Sequence, residues 1–168
     1  MRDKELRLRE FTSSDAAALT LLANNRKLWQ NLSDRFPHPY RIEHANAFID
    51  SVLTGDSTHT FVVEYQGELA GVIGAILQTD VYRKNIEIGY WIGEKFWGKG
   101  LSTRALGLYL EYLRSQDDFH RVFARVFAPN KASMKVLENN GFSLEGISRE
   151  AAFKDNRFLD VHTFSLLL

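Results

Sequence analysis

The sequence predicts a mixed α/β fold, a single seven-stranded sheet flanked by helices in the order β-α-α-β-β-β-α-β-α-β-β. Three observations predict it. Short β-type apolar runs are interleaved with segments of helical period. Turn pairs of hairpin chemistry stand at Gln66-Gly67 and Asp155-Asn156. No Pro/Gly/Ser-rich linker, low-complexity tract or internal repeat divides the 168 residues, so residues 1–168 read as a single domain with a core large enough to fold without staples.

The elements follow in chain order. Leu6, Leu8 and Phe11 alternate with charged residues, as a half-buried strand does. Thr12-x-x-Asp15 resembles a capping box and opens a first helix, Ala16 to Ala23. Periodicity fails from Asn24 to Arg41, and Phe36-Pro37-His38-Pro39-Tyr40 reads as loop. A second helix covers Ile42 to Leu53, with Ala45, Phe48, Ile49 and Val52 on one face and Gly55-Asp56 as its stop. Thr60–Tyr65 and Leu69–Leu77 form a hairpin, and Ile86–Ile92 is the next strand. A helix from Leu101 to about Ser115 buries Leu101, Ala105, Leu108 and Tyr112. Arg121–Phe127 is β, Asn130–Asn139 a short helix closed by Gly141, and Ser143–Phe153 with Phe158–Leu167 a final hairpin.

Composition excludes several classes. Lys plus Arg and Asp plus Glu both number 21, so the formal net charge is zero, which argues against broad electrostatic binding to nucleic acid or an anionic membrane. The chain has no cysteine, hence no disulfide framework, thiolate metal site or cysteine nucleophile. Five scattered histidines show no metal-ligand spacing, and no metal is expected. No apolar run approaches the roughly 20 residues that span a bilayer, and the charged start Met1-Arg2-Asp3-Lys4-Glu5 carries no export signal, so a cytoplasmic location is expected.

The chemistry concentrates in Trp97-Gly98-Lys99-Gly100-Leu101-Ser102-Thr103, between a strand and a helix. Small residues there let backbone N–H groups crowd onto an anion at the positive end of the helix. A P-loop needs Lys after the last glycine, but Leu101 follows Gly100. The dinucleotide fingerprint lacks its third glycine, and Asp117 and Asp118 precede the next strand instead of ending it, which argues against NAD.

The loop is similar instead to motif A of the GNAT acetyltransferase superfamily, Q/R-x-x-G-x-G/A. Gly100 matches, Ser102 replaces the last small residue and Trp97 replaces Gln/Arg. Two further segments carry the likeness. Ile86-Glu87-Ile88-Gly89-Tyr90-Trp91-Ile92 resembles the family's fourth strand, where a bulge splays it from the fifth. Asn130-x-x-Ser133-x-x-x-Leu137 to Gly141-Phe142 resembles N-x-x-A/S-x-x-x-Y-x-x-x-G-F. The Trp-Gly-Lys-Gly form looks like the branch of ribosomal-protein N-terminal acetyltransferases.

The resemblance implies a single-domain acyl-CoA N-acyltransferase fold, with a mostly antiparallel mixed sheet. It implies acetyl-CoA as cosubstrate, bound through Trp91, Ile92, Gly93, Gly98, Lys99, Gly100, Leu101, Ser102, Thr103, Asn130, Ser133 and Lys135, with Lys131 as a further phosphate partner. The Ile92 N–H is the expected oxyanion donor, and glycine inside a strand, as at Gly89, fits a bulge or a close backbone approach. Glu87, a carboxylate in an apolar strand, is the candidate base; a water relay or a structural pair with an Arg are its alternatives. The family's usual acid is the motif's Tyr, here Leu137, so Ser133 is the nearest hydroxyl for the departing sulfur. Phe36, His38, Tyr40 and Phe153 are candidate walls for the acceptor amine, on variable segments.

The expected activity is direct acetyl transfer from acetyl-CoA to a primary amine, either a protein α-amino group or a small molecule, in a ternary complex. The loss of the Tyr at Leu137 motivates one alternative, a catalytically inactive CoA-binding module. Either a monomer or a homodimer is expected, the apolar hairpin Phe158 to Leu168 being able to pair between subunits.

Overall fold

A computed structural model describes residues 5–55, 59–116 and 118–168; the expectations placed on residues 1–4, Asp56 and Asp117 lie outside it. Seven strands form one sheet in the order β1-β2-β3-β4-β5-β7-β6. They are β1 (Leu6–Arg9), β2 (Phe61–Tyr65), β3 (Glu68–Leu77), β4 (Asn85–Ile92), β5 (Arg121–Phe127), β6 (Ser143–Lys154) and β7 (Arg157–Leu167). Every neighbouring pair is antiparallel except β4 and β5. The helices are α1 (Ala16–Ala23), α2 (Arg26–Trp29), α3 (Ile42–Leu53), α4 (Leu101–Gln116) and α5 (Lys131–Asn139).

Strand alternation sorts the two faces. In β2, Val63 faces the cluster built on α4, and the adjacent Val62 faces the cluster built on α1 and α3. In β4, Ile86, Ile88 and Ile92 are buried against the α4 side, which leaves Glu87, Gly89 and Trp91 for the other. In α4 the fully buried stripe is Leu101, Ala105, Leu106, Tyr109 and Leu113, while Leu108 and Tyr112 sit at its margin. The expected stripe was therefore rotated by part of a turn. Aromatic packing explains the margin: the Tyr112 ring stands edge-on to Phe61 at 5.0 Å, at the border of the sheet.

The turns behave as their residues dictate. Gln66 and Gly67, and Asp155 and Asn156, all have positive φ, as type I′ hairpin turns require. Asp15 accepts a hydrogen bond from the Thr12 N–H at 2.8 Å, the return half of a capping box. α5 ends in a complete Schellman motif: Gly141, at φ +84°, donates to Glu138 O at 3.0 Å and Phe142 donates to Leu137 O at 3.1 Å.

The segment expected to be irregular contains one extra element, α2. Asn25 caps it, its side-chain oxygen accepting from the N–H groups of Lys27 (2.9 Å) and Leu28 (3.2 Å). A one-turn helix carries no readable period, and tertiary contacts hold it: Leu28 is buried, Asn25 donates to Glu94 at 2.7 Å, and Lys27 pairs with the same carboxylate.

Candidate active site

The parallel junction is where the sheet opens. β4 and β5 stay in register only at Asn85–Arg121, Ile86–Val122 and Glu87–Phe123, and then diverge. The divergence needs no bulge towards β3, whose register with β4 runs unbroken through Gly89. A cleft of about 620 Å³ lies in the gap. The second half of β4 forms one wall, Ala124, Arg125 and Val126 of β5 another, and Asn130 to Ser133 with Val136 of α5 a third. Trp97, Gly98 and Gly100 to Thr103 also line the cleft, as do Leu28, Asn31 and Leu32.

The backbone of β4 is aimed into this gap. Gly93 donates to Ala70 O of β3 at 2.8 Å. N–H groups of an antiparallel strand point alternately to its two neighbours, so those of Tyr90 and Ile92 point away from β3, towards the cleft. The Ile92 carbonyl is already taken, accepting from the Trp97 indole N–H at 2.7 Å. That bond fixes the loop to the strand. Beyond it Gly98 and Gly100 adopt φ +76° and +69°, a conformation that costs most other residues, and it turns the chain into the first turn of α4. Four N–H groups at a helix start lack intrahelical partners, and here that start faces the cleft.

Several predicted residues lie elsewhere. Gly93 spends its N–H on β3, and the missing Cβ accommodates the Leu22 side chain. The Lys99 ammonium sits 5.3 Å from the Tyr65 ring centroid and 5.7 Å from that of Phe96, outside the cleft lining. Leu101 borders the cleft but its side chain is in the core. Lys135 reaches Glu138 at 3.4 Å on an exposed helix face, whereas Lys131 does line the cleft. Asn130 lines it too, and also caps α5, accepting from the Ser133 N–H at 3.2 Å.

Glu87 is not a lone carboxylate. Its two oxygens accept from the Arg125 Nε at 2.8 Å and Nη2 at 2.6 Å, and it stays outside the cleft lining. The carboxylate in turn holds the Arg125 guanidinium above its usual value, through the hydrogen bonds first and the charge second. Strand alternation sends Glu87 to the face opposite Ile86 and Ile88, so the apolar setting expected for it does not form. No Asp or Glu is among the cleft-lining residues.

The proposed acceptor walls are also redistributed. Tyr40 is buried, which pushes its phenol up to about 12, and Phe36 packs between it (4.9 Å) and Trp91 (5.8 Å). His38 stands by Trp29 at 5.8 Å, and Phe153 by Phe158 at 5.0 Å on the exposed hairpin tip. None of these four side chains lines the cleft; from their segment Asn31 and Leu32 do. Lys154 braces the arrangement from the hairpin. It is 3% exposed, its ammonium 3.7 Å from the Trp29 ring centroid and 2.7 Å from Asp34 Oδ1. Arg26 pairs with Asp155 at 2.9 Å beside it.

Tyr90 was missed by the sequence reading. Its hydroxyl lies 3.0 Å from Ser133 Oγ and 3.2 Å from Ser133 O, joining two walls of the cleft. Burial lifts this phenol to about 12, partly offset by the bond to Ser133. Leu137, which replaces the phenol of the motif, is wholly buried in the core.

Among the described residues no three His, Asp or Glu converge as a metal site would need, and no helix is long and apolar enough to cross a membrane. Residues 5–143 match the family model of the acetyltransferase (GNAT) domain. An uncharacterized N-acetyltransferase p20 of Bacillus licheniformis is 32% identical over 64% of the chain, and a ribosomal-protein-serine acetyltransferase of Escherichia coli is 29% identical over the same share. The match spans 60% of the length of each of these relatives. The crystal structure of RimL, a ribosomal-protein alpha-N acetyltransferase in complex with coenzyme A, superposes with a TM-score of 0.87, covering 99% of this chain and 96% of that one at 25% identity.

Proposed function

The chain belongs to the GNAT acetyltransferase family, and from that premise we propose that it transfers an acetyl group from acetyl-CoA directly to a primary amine. The observation that carries the reading is the β4–β5 gap, which joins a strand edge of suitable length to the N-terminus of α4. A pantetheine arm is peptide-like and can bond an open strand edge as another strand would. The pyrophosphate then meets the N–H groups of Gly98 to Thr103. The Ile92 N–H faces the thioester as oxyanion donor, a role worth about 3–4 kcal/mol where such donors have been removed. The amine loses its proton to water, since no carboxylate lines the cleft.

The same lining bears on the acceptor. Arg125 and Lys131 are its charged side chains, so a polycation finds no counter-charge there. A single amine on an otherwise neutral or acidic group fits better, and a protein α-amino group is of that kind. The relatives named for ribosomal-protein acetylation support this choice. Nothing favours a non-catalytic CoA-binding module. Its motive was the phenol absent at Leu137, and Tyr90 supplies one to the cleft.

Release of CoA thiol, followed with acetyl-CoA and matched amines, tests the reading. Peptides with a free N-terminus should support release, the same peptides blocked at the α-amine should not, and spermidine should be a poor acceptor. Tight CoA binding without turnover on any amine would sink the enzymatic reading, and spermidine as the best acceptor would sink the acceptor assignment.

A further inference from the structure

Ser133 has a hydroxyl on the cleft wall and a partner opposite, Tyr90, whose oxygen lies within hydrogen-bond reach of both Ser133 Oγ and Ser133 O. The geometry fixes one of the two hydrogens of this pair. A carbonyl oxygen can only accept, so the phenol hydrogen goes to Ser133 O, and between the two hydroxyl oxygens either one can donate. The hydrogen on Ser133 Oγ has the Tyr90 oxygen as one acceptor and, by rotation about its C–O bond, can turn to a charged acceptor in the cleft. A serine at the first turn of a helix ordinarily spends it on solvent or on a backbone carbonyl of its own helix. Here the phenol is buried against α5 and keeps its proton throughout the neutral range, so it serves as a permanent donor.

Resting on the acetyl-transfer reading above, we propose that Tyr90 is a positioning residue for that reaction, holding the Ser133 hydroxyl so that its hydrogen meets the departing sulfur of CoA. The amine nitrogen bonds to the acetyl carbon, and the tetrahedral intermediate collapses as the C–S bond breaks and its electron pair passes to sulfur. Ser133 Oγ–H hydrogen-bonds the thiolate as that charge develops. The surplus proton of the amine goes to water, and water returns one to the sulfur, giving the amide and the CoA thiol. Tyr90 does not ionise. The device replaces the phenol missing at Leu137 with a phenol from the facing strand that acts through a serine.

The test compares Tyr90→Phe, Ser133→Ala and the double variant with the parent, reading CoA thiol release and CoA binding by calorimetry. Tyr90→Phe keeps the ring and removes one oxygen. It should lower kcat by at least about tenfold while the KM for acetyl-CoA and the Kd for CoA stay within about twofold. Ser133→Ala should lose as much or more, and the double variant should be no worse than Ser133→Ala, because Tyr90 acts only through that hydroxyl. Full kcat in Tyr90→Phe overturns the proposal, as does a further multiplicative loss in the double variant. Equal losses in kcat and CoA affinity assign Tyr90 to cofactor binding and overturn it too. A parent protein that binds CoA but releases no thiol with any amine overturns the acetyl-transfer reading itself, an outcome visible before any variant is made.

Discussion

Arg125 grips both carboxylate oxygens of Glu87, at 2.8 and 2.6 Å, beside the last residue pair at which β4 and β5 remain in register. The pair acts as a rivet at the apex of the cleft. Glu87→Gln should therefore change turnover by less than about threefold, whereas loss of a proton-accepting base costs on the order of a hundredfold or more. Steady-state kcat across pH 6 to about 9 decides between the two. A loss of the larger size would make Glu87 the base after all.

Gly100, at φ +69°, has open space where a Cβ would stand, so a substitution there is penalised by backbone conformation and not by collision. Gly100→Val should cost about 1–2 kcal/mol of stability. It should also misdirect the N–H groups at the start of α4. A thermal shift on adding CoA reads both effects, with a lower melting temperature for the apo variant and a smaller gain on ligand. An undiminished gain would remove the loop from cofactor binding.

Arg9 joins two nearly buried carboxylates, Glu64 at 2.6 Å and Asp15 at 2.8 and 2.9 Å. The hydrogen bond from Arg7, with that from Arg9, holds Glu64 below its usual value. At Asp15 burial pushes upward and the Arg9 and Thr12 hydrogen bonds outweigh it, so this carboxyl is lowered as well. Depressed carboxyl values stabilise the fold above the unfolded values of 4.5 and 3.8, and that stability is lost as pH falls below these and through the lower folded-state values. Chemical denaturation at pH 7 and at about pH 3.5 should show a large acid loss in the parent. In Arg9→Ala the stability at pH 7 should fall by about 3 kcal/mol and the acid loss should shrink. An acid loss as steep as the parent's would place the pH sensitivity elsewhere.

Lys154 is a buried ammonium between an aromatic face and a carboxylate, and it fastens the β6–β7 hairpin to the segment that brings Leu28, Asn31 and Leu32 to the cleft. Lys154→Met keeps the volume and removes the charge. It should cost about 1–2 kcal/mol and raise the KM for the acceptor while leaving that for acetyl-CoA unchanged. A parallel rise in both constants would show that the brace shapes the whole cleft.

Much of this fold is legible in the sequence because its signals are local. The two type I′ turns, the Gly141 stop and the alternation of β4 each depend on a few adjacent residues. The same alternation, Ile86-Ile88-Tyr90-Ile92, already sends Tyr90 to the helix-bearing face. What the sequence does not carry is that this face opens into a gap just there, and that Ser133, 43 residues away, stands opposite. The partner of Glu87 is hidden for the same reason: Arg125 belongs to another strand. The variable segment Asn31 to Tyr40 reaches the cleft through Asn31 and Leu32, because hydrophobic burial draws its aromatics Phe36 and Tyr40 inward.

The short register between β4 and β5 also has a mechanical side. Three residue pairs, the Glu87–Arg125 ion pair, the Arg121–Asn85 hydrogen bond and backbone bonds to Lys84 O stitch β4 to β5 at one end only, while α4 and α5 bridge the halves from one side and Lys154–Asp34 and Arg26–Asp155 tie the β6–β7 hairpin across. Such a seam can flex like a half-opened zip. A chain lying in the gap would complete the missing rungs and turn two leaves into one continuous plate. Occupancy should then slow amide hydrogen exchange far from the ligand, in β5 and β7, and not only along the strand edge it touches.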